Sequence, residues 1–143
     1  MCIRDRLDRA EPDLPSSAHR AAALHLRGGV HFTLGEPHRA SATLLQAAQN
    51  LMQDAPSQAS ELLLEAVAAA LYSGADARRD ALDAVRRHSH PKPDNPRIAD
   101  LLLDGFVAHL TDGAPAGAPR LRAAIDQLLA CLLYTSPSPR DRS

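Results

Sequence analysis

This sequence has little with which to do chemistry. It has two cysteines, Cys2 and Cys131, one near each end, and no tryptophan. Both lie in the end segments that are set aside below, so the rest of the chain has no cysteine for a disulfide framework, a thiolate nucleophile or a thiolate metal site. No glycine-rich phosphate loop leads into Lys-Ser or Lys-Thr, and no Gly-x-Ser-x-Gly elbow occurs. No apolar run approaches the roughly 18 residues that span a bilayer. Charge of one sign is also missing: the formal net charge is −1, which gives no electrostatic footprint for nucleic acid and no basic face for a membrane surface. Aromatic residues make up only 3% of the chain, while alanine is abundant. Helices built this way meet through small side chains. The expectation is a non-enzymatic protein with no cofactor and no bound metal, acting through protein or interdomain contacts.

The two ends differ from the middle. Met1-Cys2-Ile3-Arg4-Asp5 and the first base of the Arg6 codon can be written ATGTGTATAAGAGACA, whose reverse complement, TGTCTCTTATACACAT, encodes Cys-Leu-Leu-Tyr-Thr. That string stands at Cys131 to Thr135. Both ends resemble translated sequencing-adapter DNA, and Ser136 to Asp141 continues the same adapter frame. Such segments are set aside before fold reasoning, so residues 1–6 and 131–143 are taken as adapter-derived and residues 7–130 as native, a piece of a longer gene. Without Arg4, Arg6, Arg140, Arg142, Asp5 and Asp141 the formal charge is −3.

What the sequence does have is a period. Gly35, Gly74 and Gly113 recur every 39 residues, as do Leu24, Leu63 and Leu102 about three turns upstream. Ala21, Ser60 and Ala99 share the register, with only the serine polar. Self-similarity at this interval is the mark of stacked helical hairpins. The first helix is expected from about Ser17 to Leu34, with Leu26, Val30 and Leu34 along one stripe. Gly35-Glu36-Pro37 turns the chain, because glycine ends a helix and proline starts the next. A partner helix over about His38 to Gln53 places Ala40, Leu44, Ala47 and Leu51 at helical spacing. Leu63, Val67 and Ala70 repeat the scheme before Gly74. Asp76 then serves as a cap for a helix carrying Ala81 and Val85. The third pair starts at Asn95-Pro96 with Ile98, Leu102, Phe106 and His109, pauses at Gly113, and resumes with Leu121, Ile125 and Leu128. Period-two alternation is almost lacking. The fold class is therefore all-α: about three antiparallel helix hairpins in a short solenoid.

With Gly35 at the turn, Gly28, Ala40, Leu44 and Ala47 fall on the small, small, large and small positions of the tetratricopeptide pattern, which the first unit resembles closely. The later units drift by one to three residues. In such solenoids the first helix of each pair lines the inner face, so His25, Phe32, Leu64 and Tyr72 are the expected partner-binding residues.

The remaining polar clusters read as structure. His88-Ser89-His90 lies in a proline-rich loop with Asp94 as the only nearby carboxylate, short of the four converging ligands of a zinc site, and is expected to be a solvated loop. His31 and His109 are expected as partly buried, hydrogen-bonded histidines. Arg78, Arg79, Arg86 and Arg87 alternate with Asp76, Asp80 and Asp83 as a solvated face with ion pairs. Glu61 and Glu65, one turn apart, suit a hydrated surface.

Four segments carry a family resemblance: Ala-Ala-Ala-Leu-His-Leu-Arg-Gly at 21–28, Glu-Leu-Leu-Leu-Glu-Ala-Val-Ala-Ala-Ala-Leu-Tyr-Ser-Gly at 61–74, Ile-Ala-Asp-Leu-Leu-Leu-Asp-Gly at 98–105 and Leu-Thr-Asp-Gly at 110–113. In this order they resemble the helical middle region of large ATP-binding LuxR-type transcriptional regulators of the MalT-like kind, over essentially all of 7–130. The resemblance implies a cytoplasmic scaffold and sensor arm between a nucleotide-switch ATPase and a helix-turn-helix domain. Neither domain's motifs occur in this chain, so no functional residue is carried over. The other class the sequence fits is a tetratricopeptide-type peptide-binding adaptor.

The adapter-like ends give a first test. Deleting residues 1–6 and 131–143 is expected to leave helix content and thermal stability essentially unchanged, although Leu132, Leu133 and Tyr134 can lengthen the last helix by a turn before Pro137. Circular dichroism melts check this; marked loss of cooperativity in the truncated protein contradicts it.

Overall fold

A computed structural model of the chain describes residues 3–10, 15–88 and 94–135. Among them the helices are α1 (Ile3–Ala10), α2 (Ser17–Thr33), α3 (Pro37–Leu51), α4 (Pro56–Leu71), α5 (Ala75–Arg87), α6 (Ile98–Asp112) and α7 (Ala114–Thr135), with no strand among the described residues. The chain divides into two compact units, before and after residue 91. In the first, α2 packs on α3, α3 on α4 and α4 on α5; in the second, α6 packs on α7. The fold is all-α, built of TPR-like helix hairpins.

The helix ends follow from local chemistry. Ser16 caps α2, its hydroxyl accepting the His19 backbone N–H at 3.3 Å. Gly35 turns the chain at φ +76°, a left-handed conformation that a side chain disfavours. Pro37 and Pro56 open α3 and α4, where an N–H has no helical partner anyway. Two expected starts move. Gly74, not Asp76, is the residue before α5; Asp76 sits inside the first turn, where a carboxylate still favours the positive end of the helix. α6 begins at Ile98, after Arg97, rather than at Asn95-Pro96. Asp100 supplies the cap that Asn95 does not, its Oδ2 accepting the Arg97 backbone N–H at 3.3 Å.

Alanine dominates the core of the first unit. Ala21 and Leu24 of α2, Ala40, Leu44, Ala47, Ala48 and Leu51 of α3, and Ala59, Leu63, Ala66, Val67 and Ala70 of α4 are all buried. Cores of small side chains bring backbones together, and the tightest place is Gly28. A Cβ there would stand 2.8 Å from Leu44 Cγ and 2.9 Å from Leu44 Cδ2. Two serines enter the core with their hydroxyls satisfied. Ser41 donates to the Ala66 carbonyl at 2.9 Å, tying α3 to α4, and Ser60 donates to the Pro56 carbonyl at 3.2 Å within α4. The Leu26, Val30 and Leu34 stripe is not core: Leu26 and Leu34 are 65% and 59% exposed. α2 buries Ala21, Leu24, Gly28 and His31 instead.

The α6/α7 unit repeats the first crossing. A Cβ on Gly105 would meet Leu121 Cδ2 at 2.6 Å, and one on Gly117 would meet the Gly105 carbonyl oxygen at 2.7 Å and His109 Cα at 2.9 Å. Gly105, Gly117, Leu121 and Ala124 thus recur at the same spacings as Gly28, Ala40, Leu44 and Ala47, and Ala124, like Ala47, is buried. Ile98, Leu102 and Phe106 are half-buried, whereas His109, Ile125 and Leu128 are exposed. The buried line of the unit runs through Leu103, Gly105, Ala108, Gly117 and Ala124. α7 continues through the adapter-like Cys131 to Thr135, with Leu132, Leu133 and Tyr134 exposed.

The two adjacent glycines of α2 test the crossing. Gly29 has nothing within 4 Å of its Cβ position, so Gly29→Leu is expected to be neutral or stabilising, since glycine costs about 1 kcal/mol in a helix interior. Gly28→Leu is expected to cost roughly 1–3 kcal/mol through overpacking. Gly117→Ala is also expected to destabilise, because a neighbouring backbone yields less readily than a side chain. Denaturant melts read all three; equal behaviour of Gly28→Leu and Gly29→Leu refutes this helix pairing.

Candidate interaction face

The first helices of the two hairpins in the first unit are joined by two side-chain pairs. His25 Nε2 donates to Glu65 Oε2 at 2.8 Å, and the Phe32 and Tyr72 rings meet edge to face with centroids 5.8 Å apart. Seven residues separate the pairs on each helix, about 10 Å along the axis. They therefore stand two turns apart on one face shared by α2 and α4. The His25 and Glu65 side chains are 50% and 49% exposed, so their bond contributes little to stability. Phe32 and Tyr72 are 48% and 74% exposed, a large aromatic surface left facing solvent in a chain with few aromatics.

Beside the His25–Glu65 pair lies a shallow groove of about 260 Å³. Ala18 and Ala22 form its α2 wall, Gln58, Glu61 and Glu65 its α4 wall, and Leu51 and Leu62 also line it. Ala21 and His25 complete the α2 side, and of the two carboxylates opposite, Glu65 already accepts from His25.

Of the four residues expected on the inner face, His25, Phe32 and Tyr72 come together here. Leu64 does not: it is half-buried, and Glu65, one residue further on, faces His25. The facing pairs are 40 residues apart although the helices repeat every 39, because residues that touch across neighbouring helices occupy adjacent positions of the pattern, not equivalent ones. The shared seven-residue spacing of His25 with Phe32 and of Glu65 with Tyr72 is the signal in the sequence that marks Glu65 as the neighbour of His25.

The other polar positions are structural. His31 is buried and donates from Nδ1 to Glu36 Oε2 at 2.7 Å, as expected of a partly buried histidine. Arg39 approaches the second oxygen of the same carboxylate at 3.4 Å. Glu36 thereby ties the end of α2 to the start of α3. His109 is exposed, not partly buried; its Cβ and Cα lie beneath Gly117. His88, expected in a solvated loop, closes α5 and is buried. Ser89 and His90 lie outside the described residues. Along α5, Asp76 pairs with Arg79 at 3.4 Å and Asp83 with Arg86 at 3.5 Å, the ion-paired helix face anticipated. Among the described residues no group of three or more histidine, cysteine, aspartate or glutamate side chains converges as a metal site. None of the described helices is long and apolar enough to cross a membrane.

No protein-family model, curated protein or solved structure matches the chain.

The aromatic contact makes its own prediction. A double-mutant cycle of Phe32→Ala and Tyr72→Ala is expected to show a coupling of about 0.5–1 kcal/mol, the lower part of the range for aromatic pairs because both rings are partly solvated. Coupling indistinguishable from zero in denaturant melts shows that α2 and α4 do not meet through these rings.

Proposed function

We propose that the chain is a non-catalytic helical scaffold, the arm of a cytoplasmic LuxR-type, ATP-binding transcriptional regulator that relays state between an ATPase and a DNA-binding domain. One observation carries this reading: the segments that resemble such regulators are those that build the packing. Residues 21–28 end at the crossing glycine of α2, and residues 61–74 comprise most of α4 and its end. Residues 98–105 end at the crossing glycine of α6, and 110–113 form the α6/α7 turn. A relay arm needs stiff hairpins in firm contact, and interlocked glycines supply that stiffness. In this role the partners are other domains of the same protein, with no direct contact to nucleic acid or membrane and no cofactor in the arm itself.

A second reading, a peptide-binding adaptor, is favoured by the α2/α4 face, where an exposed aromatic pair lies two turns from a carboxylate-walled groove. The flanking genomic sequence separates the two. A phosphate-binding loop upstream and a helix-turn-helix downstream in one reading frame support the regulator; their absence from the full gene supports the adaptor.

The same proposal sets an expectation for residues 7–130 in isolation. Without a phosphate loop and with a formal charge of −3, they are expected neither to hydrolyse ATP nor to bind duplex DNA with sequence preference, since they supply no dominant phosphate-neutralising contribution. Saturable, salt-sensitive, sequence-specific DNA binding in a fluorescence anisotropy titration overturns this.

A further inference from the structure

The two hairpins of the first unit provide a template for each other, and among the described residues of that unit α2 lacks a neighbour that α4 has. On α4, the arc carrying Leu62, Glu65, Ala66 and Ala69 meets the preceding hairpin. Ser41 of α3 donates to the Ala66 carbonyl, His25 of α2 donates to Glu65, and Leu62 and Ala69 are buried. By the 39-residue repeat the corresponding arc of α2 carries Ala23, Leu26, Arg27 and Val30, and Leu34 extends it. Apart from Arg27, this surface is apolar and open. Leu26 and Leu34 are more than half exposed, Val30 is half-buried, and Leu26, Gly29, Val30, Thr33 and Leu34 line a trough of about 450 Å³. α1 packs on α2 yet leaves Leu26 and Leu34 uncovered.

We infer that the Leu26–Val30–Leu34 face of α2 is a docking face for the second helix of another hairpin of this repeat. The chemistry of that helix follows from α3. It runs antiparallel to α2 and presents a small-residue face, as α3 presents Ser41 and, two turns on, Ala48, both buried. Leu26 and Val30 stand where Glu65 and Ala69 stand on α4, and Arg27 where Ala66 stands, so this face sets two larger apolar residues beside one cation. A contiguous apolar stripe on one helix face is what such a contact covers. The inference rests on the hairpin packing alone and stands whether the parent protein is a regulator or an adaptor.

Duplicating residues 17–55 ahead of Ser17 in the full chain places an α3 copy in register with α2, with the native connection between the two. The tandem protein is expected to melt about 4 °C or more above the single chain, since a newly covered face adds to the free energy of unfolding. Val30→Lys in the original α2 is expected to abolish that gain while leaving the single chain's midpoint unchanged. No gain, or an equal effect of Val30→Lys in both proteins, overturns the inference. A second measurement reads the face itself. In a background with Cys2 and Cys131 replaced by serine, maleimide labelling of Leu26→Cys in the original α2 is expected to be about tenfold slower in the tandem protein than in the single chain, because a covered thiol reacts only through local opening. An equal labelling rate in the two proteins overturns it.

Discussion

The structure depends on how closely α2 and α3 approach at Gly28. The Leu44 side chain occupies the space where a Cβ on Gly28 would stand, and this contact sets the distance between the two helices. Everything around it is scaled to match. Ala21 and Leu24 flank the crossing on one helix, Ala40 and Ala47 on the other, and each is almost wholly buried. Larger residues at these positions would push the backbones apart and open cavities elsewhere, because a close-packed interior has no slack to absorb the change. The α6/α7 hairpin meets the same constraint more severely, with Gly117 against the backbone of Gly105 and His109.

Much of this was legible in the sequence, for definite reasons. A 39-residue recurrence of glycine and leucine locates the turns, and apolar spacing within each interval identifies the helices. The α2/α3 crossing could be placed because one short set of small and large residues fits a known packing pattern. The α6/α7 crossing was missed by anchoring on Gly113. From Gly105 to Gly113 is one residue further than from Gly28 to Gly35, so a register counted from the turn slips by one and hides the second Gly-Gly-Leu-Ala set. Helix starts were harder to place. Asp76 and Asn95-Pro96 are plausible caps by composition, but Gly74 and the Arg97–Asp100 pair occupy those places, and several residues near each start can serve as its cap.

The candidate face was partly visible for a related reason. A repeat pattern tells which residues are equivalent, and equivalent residues do not touch. Contacts between neighbouring helices join one position of the pattern to the next, so His25 meets Glu65 rather than Leu64. The Leu26, Val30 and Leu34 stripe shows the converse: periodicity reveals that a stripe is apolar, not which neighbour covers it, and Leu26 and Leu34 stand exposed.

The Glu36 carboxylate, which takes the His31 imidazole on one oxygen and Arg39 on the other, bears on how the hairpin assembles. All three residues lie within nine positions of one another, so this knot can form as soon as the turn has been synthesised. The contacts that follow, Gly28 with Leu44 and then Ser41 with Ala66, each span less than one repeat. Contacts this local form with little loss of loop entropy. The order of the sequence therefore permits an order of assembly in which the α2/α3 turn closes before the later helices pack on it.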